Sequence, residues 1–232
     1  VKILDNQSNS SLVSVILAVK NGEKYLSSAI ESVLQQDYRN YELILIDGNS
    51  KDRTEAIARS YQLRYVRQQG TGIADAYNLG INEARGEHIA FISHDDRWTP
   101  DKLSTQLSYL QQHPELEFCV ALVKFFLEPG ADLPAGFRPE LLTGEHAGFI
   151  METLMARREV FATVGSFNCD YHVAEDVDWY SRAKDAKIAH EVVRQVLLHK
   201  RVHSQNTSLT SSVNNQNLLK ILRQSIARKR NR

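Results

Sequence analysis

His88-Ile-Ala-Phe-Ile-Ser-His-Asp-Asp-Arg-Trp-Thr-Pro-Asp101 is the stretch whose reading decides the fold. Its first half, Ile89 to Ile92, is a short apolar run of strand formers and reads as a buried strand of a mainly parallel sheet. After Ser93-His94 come two adjacent carboxylates, Asp95 and Asp96, and then Thr99-Pro100, which has the chemistry of a helix start. In open α/β sheets ligands bind at the carboxyl edge of the strands. Two carboxylates side by side there raise each other's pKa unless a cation, hydrogen bonds or water offset the repulsion. A divalent cation is one solution, because Mg²⁺ is commonly held by one or two carboxylates plus substrate phosphates. Solvation of a loop and capping of the next helix is the other.

Upstream, Val13–Val19 reads as a buried β-branched strand, and Glu23–Gln36 carries apolar residues at helical spacing. A second strand, Tyr41–Ile46, ends at Asp47-Gly48, and Asp52 with Glu55 three residues on predicts a capped helix to about Tyr61. Leu63–Arg67 is a third strand and Ile73–Ala84 a third helix, with Gly86 as its C-terminal glycine. This alternation implies a parallel sheet with right-handed crossovers. Downstream, a helix spans Pro100–Gln112, a strand covers Leu116–Leu127, and Glu128–Glu145, with three prolines and three glycines, is a long surface loop. Arg157–Val164 reads as a short helix. Val177, Tyr180 and Ala183 mark the buried face of another, with Glu175 and Asp176 at its N-terminus, where the helix dipole favours carboxylates by roughly 0.3–1 kcal/mol. Val192–Val202 is strand-like and leads to a polar loop, His203–Asn206.

The 232 residues are enough to bury roughly 70–75% of the unfolded surface in one domain. Twenty-eight basic and 28 acidic side chains cancel, so no global field draws the chain to nucleic acid. Cys119 and Cys169 form no CxxC, which argues against a disulfide framework or zinc site and suits a reducing, cytoplasmic setting. The apolar run Leu12–Val19 is too short to span a bilayer and lacks signal-peptide flanks. Residues 1–11 are expected to be a mobile arm, 12–212 the folded domain in two halves, 12–97 and 98–212, and 213–232 a basic C-terminal helix. From Lys220 to Arg232 there are six basic residues and no acids, which leaves two readings open, a solvated or disordered tail and contact with the inner face of a membrane.

Five markers in one order carry a resemblance: Val15–Gly22, Ile46–Asp52, Gly72–Ile81, Gly86–Ile92 and Glu175-Asp176. Together they resemble family 2 glycosyltransferases, over roughly residues 12–205. The resemblance implies an α/β GT-A fold, Rossmann-like, with a mainly parallel sheet flanked by helices and a smaller antiparallel acceptor-side part. Ser93-His94-Asp95 is similar to the family's D-x-D motif, so Asp95 is expected to ligate Mg²⁺ or Mn²⁺ on the donor's diphosphate, with Ser93 in place of the usual first Asp. His203 resembles a late histidine that meets the metal or diphosphate. Val19, Asn21 and Asp47 match donor-binding positions, Asp47 facing the nucleotide base. Asp75 and Asn78 match a D-A-x-N turn lining the donor pocket, with Tyr77 where relatives have Arg. Asp176 matches the family's catalytic base.

The activity so implied is metal-dependent, inverting transfer of a sugar from a nucleotide-diphosphate sugar, UDP-sugar favoured, to an acceptor hydroxyl on a carbohydrate or lipid-linked glycoconjugate. The alternative is a non-catalytic GT-A-like module that binds nucleotide sugar. A dinucleotide-dependent oxidoreductase is set aside because the first strand–helix turn, Val19-Lys-Asn-Gly-Glu-Lys24, lacks G-x-G-x-x-G.

Overall fold

The computed structural model describes residues 11–171, 173–206 and 214–230. Four strands, β1 (Val13–Val19), β2 (Tyr41–Asp47), β3 (Arg64–Arg67) and β4 (His88–Ser93), pair in parallel in the order β3-β2-β1-β4. All seven residues of β1 are buried, as expected of a strand covered on both faces. The period-2 alternation divides them: Val13, Val15, Leu17 and Val19 pack with α1 (Leu26–Leu34), α2 (Thr54–Arg59) and α4 (Lys102–Gln112). Ile16 and Ala18 pack on the other side with α3 (Ile73–Glu83) and the downstream aromatic residues.

Past β4 the chain forms β5 (Arg97–Trp98), α4, β6 (Phe118–Leu127), β7 (His146–Ala147), β8 (Met155–Arg157), α5 (Val160–Val164), α6 (Glu175–Asp185), β9 (His190–Val202) and α7 (Asn214–Arg230). The sheet continues from β4 as β8-β6-β9-β5, with β7 on β6. Pairings through β8, β7 and β5 are antiparallel, whereas β6 and β9 run parallel, with a register irregularity around Leu122. Three-residue β8 joins the two halves. It is too short to show periodicity, so the reading of a helix from Arg157 misses it; the helix itself begins at Val160.

Other expectations shift for identifiable reasons. Gly86 does not end α3, whose C-cap is Ala84 with an extended backbone. Gly86 is needed because a Cβ there would lie 2.6 Å from the Leu12 carbonyl and 2.7 Å from the Ser14 nitrogen. Asp52 does cap α2, accepting from Thr54 N–H and Oγ1, but Glu55 does not reciprocate; it pairs with Arg59 and Arg67 instead. On α6 the buried apolar members are Trp179 and Ala183, while Val177 is exposed, because the helix packs through Trp179 onto Phe118, Phe161 and Phe167. Residues 1–10 of the expected arm lie outside the described residues. Ser11 is held, its carbonyl accepting from the Tyr38 hydroxyl at 2.6 Å.

The C-terminal helix docks on α6. Arg228 and Lys229 pair with Asp185, Ser225 donates to Asp185, and Ile221 is buried beside Tyr171 and Ala174. Among the described residues no helix is long and apolar enough to cross a membrane.

Gly86→Ala is expected to destabilise the fold by about 1–3 kcal/mol, because backbone rather than a yielding side chain fills the space of the new Cβ. A lower urea midpoint with an unchanged m-value would show it; an unchanged midpoint would refute it.

Candidate active site

Asp95 and Asp96, just past the end of β4, take different partners. Asp96 is fully buried; it accepts the Arg201 backbone N–H at 2.9 Å and the Lys200 ammonium at 2.8 Å. Burial pushes its pKa up to about 7, with Lys200 opposing. Asp95 faces the pocket, where its Oδ2 meets His203 Nε2 at 2.9 Å and Asn206 Nδ2 at 3.4 Å. Burial would raise Asp95, but the His203 hydrogen bond and the neighbouring His94 and Lys200 outweigh it and hold the carboxyl well below its usual range. His94, packed against Gly22, has its pKa lowered by burial, which favours the neutral ring.

The end of β9 secures this turn. Arg201 is 1% exposed, donates from Nε to the Asp95 carbonyl at 2.8 Å, and lies between the rings of Tyr25 and Phe126 at 4.4 and 4.8 Å. It also pairs with Glu128, the first residue of the long loop. Tyr25 in turn stacks on His203, with ring centroids 5.2 Å apart.

Opposite Asp95, the N-terminus of α6 presents Glu175 and Asp176, preceded by Ala174 in a left-handed conformation at φ 75°. Burial, followed by the charge of Glu152, pushes Asp176 up to about 6 despite the Val177 N–H at 2.7 Å and Lys200. Burial and Asp176 push Glu175 up to about 8. Between the two ends of the pocket stands Glu152, whose Oε1 accepts the Ser93 hydroxyl at 2.6 Å and Lys200 at 3.2 Å.

The remaining expected residues divide. Val19 and Asn21 sit at the carboxyl end of β1: the Val19 carbonyl accepts from Gly48 N, and Asn21, at φ 52°, exchanges hydrogen bonds with the loop Ser50-Lys51. Asp47 is at the expected strand end but fully buried, its oxygens accepting from Ser50 and from the Tyr65 hydroxyl at 2.6 Å. Asp75 accepts from Gln68 at 2.7 Å. Asn78 clasps the backbone of Phe167 with both its amide oxygen and nitrogen. In this arrangement Asp47 and Asn78 organise the loops around the pocket through these bonds.

His203 Nε2 is hydrogen-bonded to Asp95 Oδ2, and no three His, Cys, Asp or Glu side chains among the described residues form a ready-made cage. Such a donor set fits a hard divalent cation that takes most of its ligands from a diphosphate. Sequence reasoning missed Glu152, Lys200 and Arg201. Lys200 and Arg201 immediately precede the Val202-His203 signal, but nothing in the pattern around Glu152 distinguishes it from an ordinary loop glutamate.

The chain resembles known proteins in sequence and in fold. The profile of glycosyl transferase family 2 matches residues 14–167. An uncharacterized glycosyltransferase of Rickettsia typhi is 30% identical over 220 residues, 87% of this chain and 67% of its own length. Residues 1–349 of S. aureus TarS, solved with UDP-GlcNAc, superpose with a TM-score of 0.74 at 18% identity, covering 93% of this chain and 66% of that one. The Pyrobaculum calidifontis mannosyltransferase, solved with GDP-Man and Mn²⁺, gives 0.69 at 19% identity, covering 93% of this chain and 64% of that one. The chain thus spans about two thirds of these proteins, and the two structures share its GT-A fold. With the family profile covering most of the domain and its motifs converging at one strand edge, the chain belongs to glycosyl transferase family 2.

Proposed function

We propose that this glycosyltransferase moves a sugar from a nucleotide-diphosphate sugar, UDP-sugar favoured, to an acceptor hydroxyl with inversion at the anomeric carbon. The observation that carries the reading is the chain of contacts from the Asp95-Asp96 turn through Lys200 to Glu152, whose charge bears on Asp176, with Asp95 held ionised and Asp176 raised to about 6. Environments that push titratable groups apart mark distinct roles. Asp176 takes the acceptor proton as the acceptor oxygen bonds to the anomeric carbon and the bond from that carbon to the diphosphate breaks. Asp95, with His203 beside it, would hold Mg²⁺ or Mn²⁺, and the ion would supply Lewis-acid neutralisation of the leaving diphosphate. Arg201 and Lys200 keep Asp95-Asp96 in place, so the turn is formed before the donor arrives. Val19, Asn21, Asp47 and Asp75 shape the nucleotide end, and Ser93 and His94 line the step between nucleotide and sugar. The solved TarS and mannosyltransferase complexes with UDP-GlcNAc and with GDP-Man and Mn²⁺ support this choice of donor and metal.

For the acceptor we propose a carbohydrate or lipid-linked glycoconjugate met at a membrane's inner face. Leu219, Leu222 and Ile226 of α7 are 55, 57 and 45% exposed although the helix is docked, and Arg223 and Arg230 lie on the same helix. A second apolar face beside basic residues suits an anionic lipid surface.

Three outcomes are expected. Asp176→Asn should lower transfer by about 10²–10⁴-fold while nucleotide binding persists, and wild-type kcat/KM should rise with pH through about 6, where Asp176 loses its proton. Retained transfer, or a rising limb near the ordinary aspartate value, would remove Asp176 as the base. Asp95→Ala should weaken Mn²⁺-dependent binding of UDP, GDP or dTDP in calorimetric titration; unchanged affinity for the preferred nucleotide would remove it from the metal site. Replacing Leu222 and Ile226 with Ser should reduce cosedimentation with anionic vesicles, and equal binding would dismiss the lipid contact.

A further inference from the structure

Glu152 is held more firmly than a loop carboxylate needs to be. The carbonyl of Glu152 itself accepts from Trp98 Nε1 at 3.1 Å, that of Thr153 from Gln106 Nε2 at 2.9 Å, and that of Leu154 from Lys102 Nζ at 3.4 Å. Three successive carbonyls are therefore pinned by side chains of β5 and α4 that are themselves buried, and Lys102 is a fully buried lysine 4.4 Å from the Trp98 ring centroid. Such support from surrounding groups fixes a functional side chain in place. At the tip, Ser93 and Lys200 both hold Oε1. Oε2 makes no hydrogen bond to the protein among the described residues.

The position follows from the chemistry. Inverting transfer needs the acceptor oxygen, the anomeric carbon and the leaving oxygen in line, so the sugar lies between the base and the metal-side carboxylate. Glu152 bonds to Ser93 on the metal side, and its charge bears on Asp176 on the other. The Ser93 hydroxyl donates to Glu152, which places a carboxylate one hydrogen bond from the end of β4.

We propose that Glu152 is the specificity residue for the donor sugar: its fixed carboxylate accepts hydrogen bonds from hydroxyls of a neutral sugar and repels a donor with a carboxylate of its own. This rests on the sugar-transfer reading above. Charge-assisted hydrogen bonds favour the neutral donor, and like-charge contact disfavours the uronate. Lys200 does not cancel the effect, because its ammonium is shared with Asp96.

The test is calorimetric titration of UDP, UDP-glucose, UDP-GlcNAc and UDP-glucuronate with Mn²⁺ into wild type, Glu152→Gln and Glu152→Asp. Wild type should bind at least one neutral donor about tenfold or more tighter than UDP-glucuronate. Glu152→Gln should narrow that ratio to about threefold or less with UDP affinity unchanged, and Glu152→Asp, which keeps the charge, should retain discrimination. An unchanged ratio in Glu152→Gln, or equal weakening of UDP and all three sugar nucleotides, would overturn the assignment. Failure of wild type to bind UDP, GDP or dTDP at all would instead overturn the donor site, a result separable from loss of discrimination alone.

Discussion

A buried carboxylate, Asp96, ties the two halves of the molecule together. It lies just past the last strand of the parallel sheet, and its partners are the Arg201 backbone N–H and the Lys200 ammonium, both at the end of β9 in the second half. Removing one partner of a buried charge pair typically costs about 3–5 kcal/mol, so the junction is a strong constraint. With Asp96 drawn inward, Asp95 turns into the pocket, and Arg201 holds its carbonyl from behind. Adjacent aspartates thus take different partners, Asp96 the end of β9 and Asp95 the His203–Asn206 loop.

Five carboxylates, Asp95, Asp96, Glu152, Glu175 and Asp176, act on one another in this region, while Lys200 is the ammonium hydrogen-bonded to Asp96 and Glu152. Their proton affinities spread accordingly, from Asp95 held low to Glu175 raised to about 8. That spread comes from burial and mutual repulsion at one end and from His203 at the other. A surplus of negative charge in a confined space favours either a bound proton or a bound cation. Both suit the sugar transfer proposed above, in which a raised carboxyl would accept a proton near neutral pH and a low one would hold a metal.

The parallel half was legible because its signals are local. The buried runs of β1, β2 and β4, the helical spacing between them and the turn chemistry of Asp47-Gly48 each lie within a window of a few residues. The second half was less legible. A three-residue strand such as β8 has no period, and Gly86 is required by approach to Leu12 and Ser14, over seventy residues away from any pattern around the latter. Val177 looked like a core residue, but the aromatic cluster draws Trp179 inward and turns Val177 to solvent.

By itself the sequence determined the βαβ order, the placement of Asp95 at a strand's carboxyl end and of Asp176 at a helix start, and the family motifs, since all of these depend on residue types at short spacing. Only the tertiary structure decided that Asp96 turns inward, that Asp47 is closed off by Ser50 and Tyr65, and that Glu152 and Lys200 enter the pocket. Those outcomes depend on hydrogen bonds such as Lys200 to Asp96 and Ser93 to Glu152, whose partners lie far apart along the chain and meet only when β4, the Glu152 segment and β9 are brought side by side.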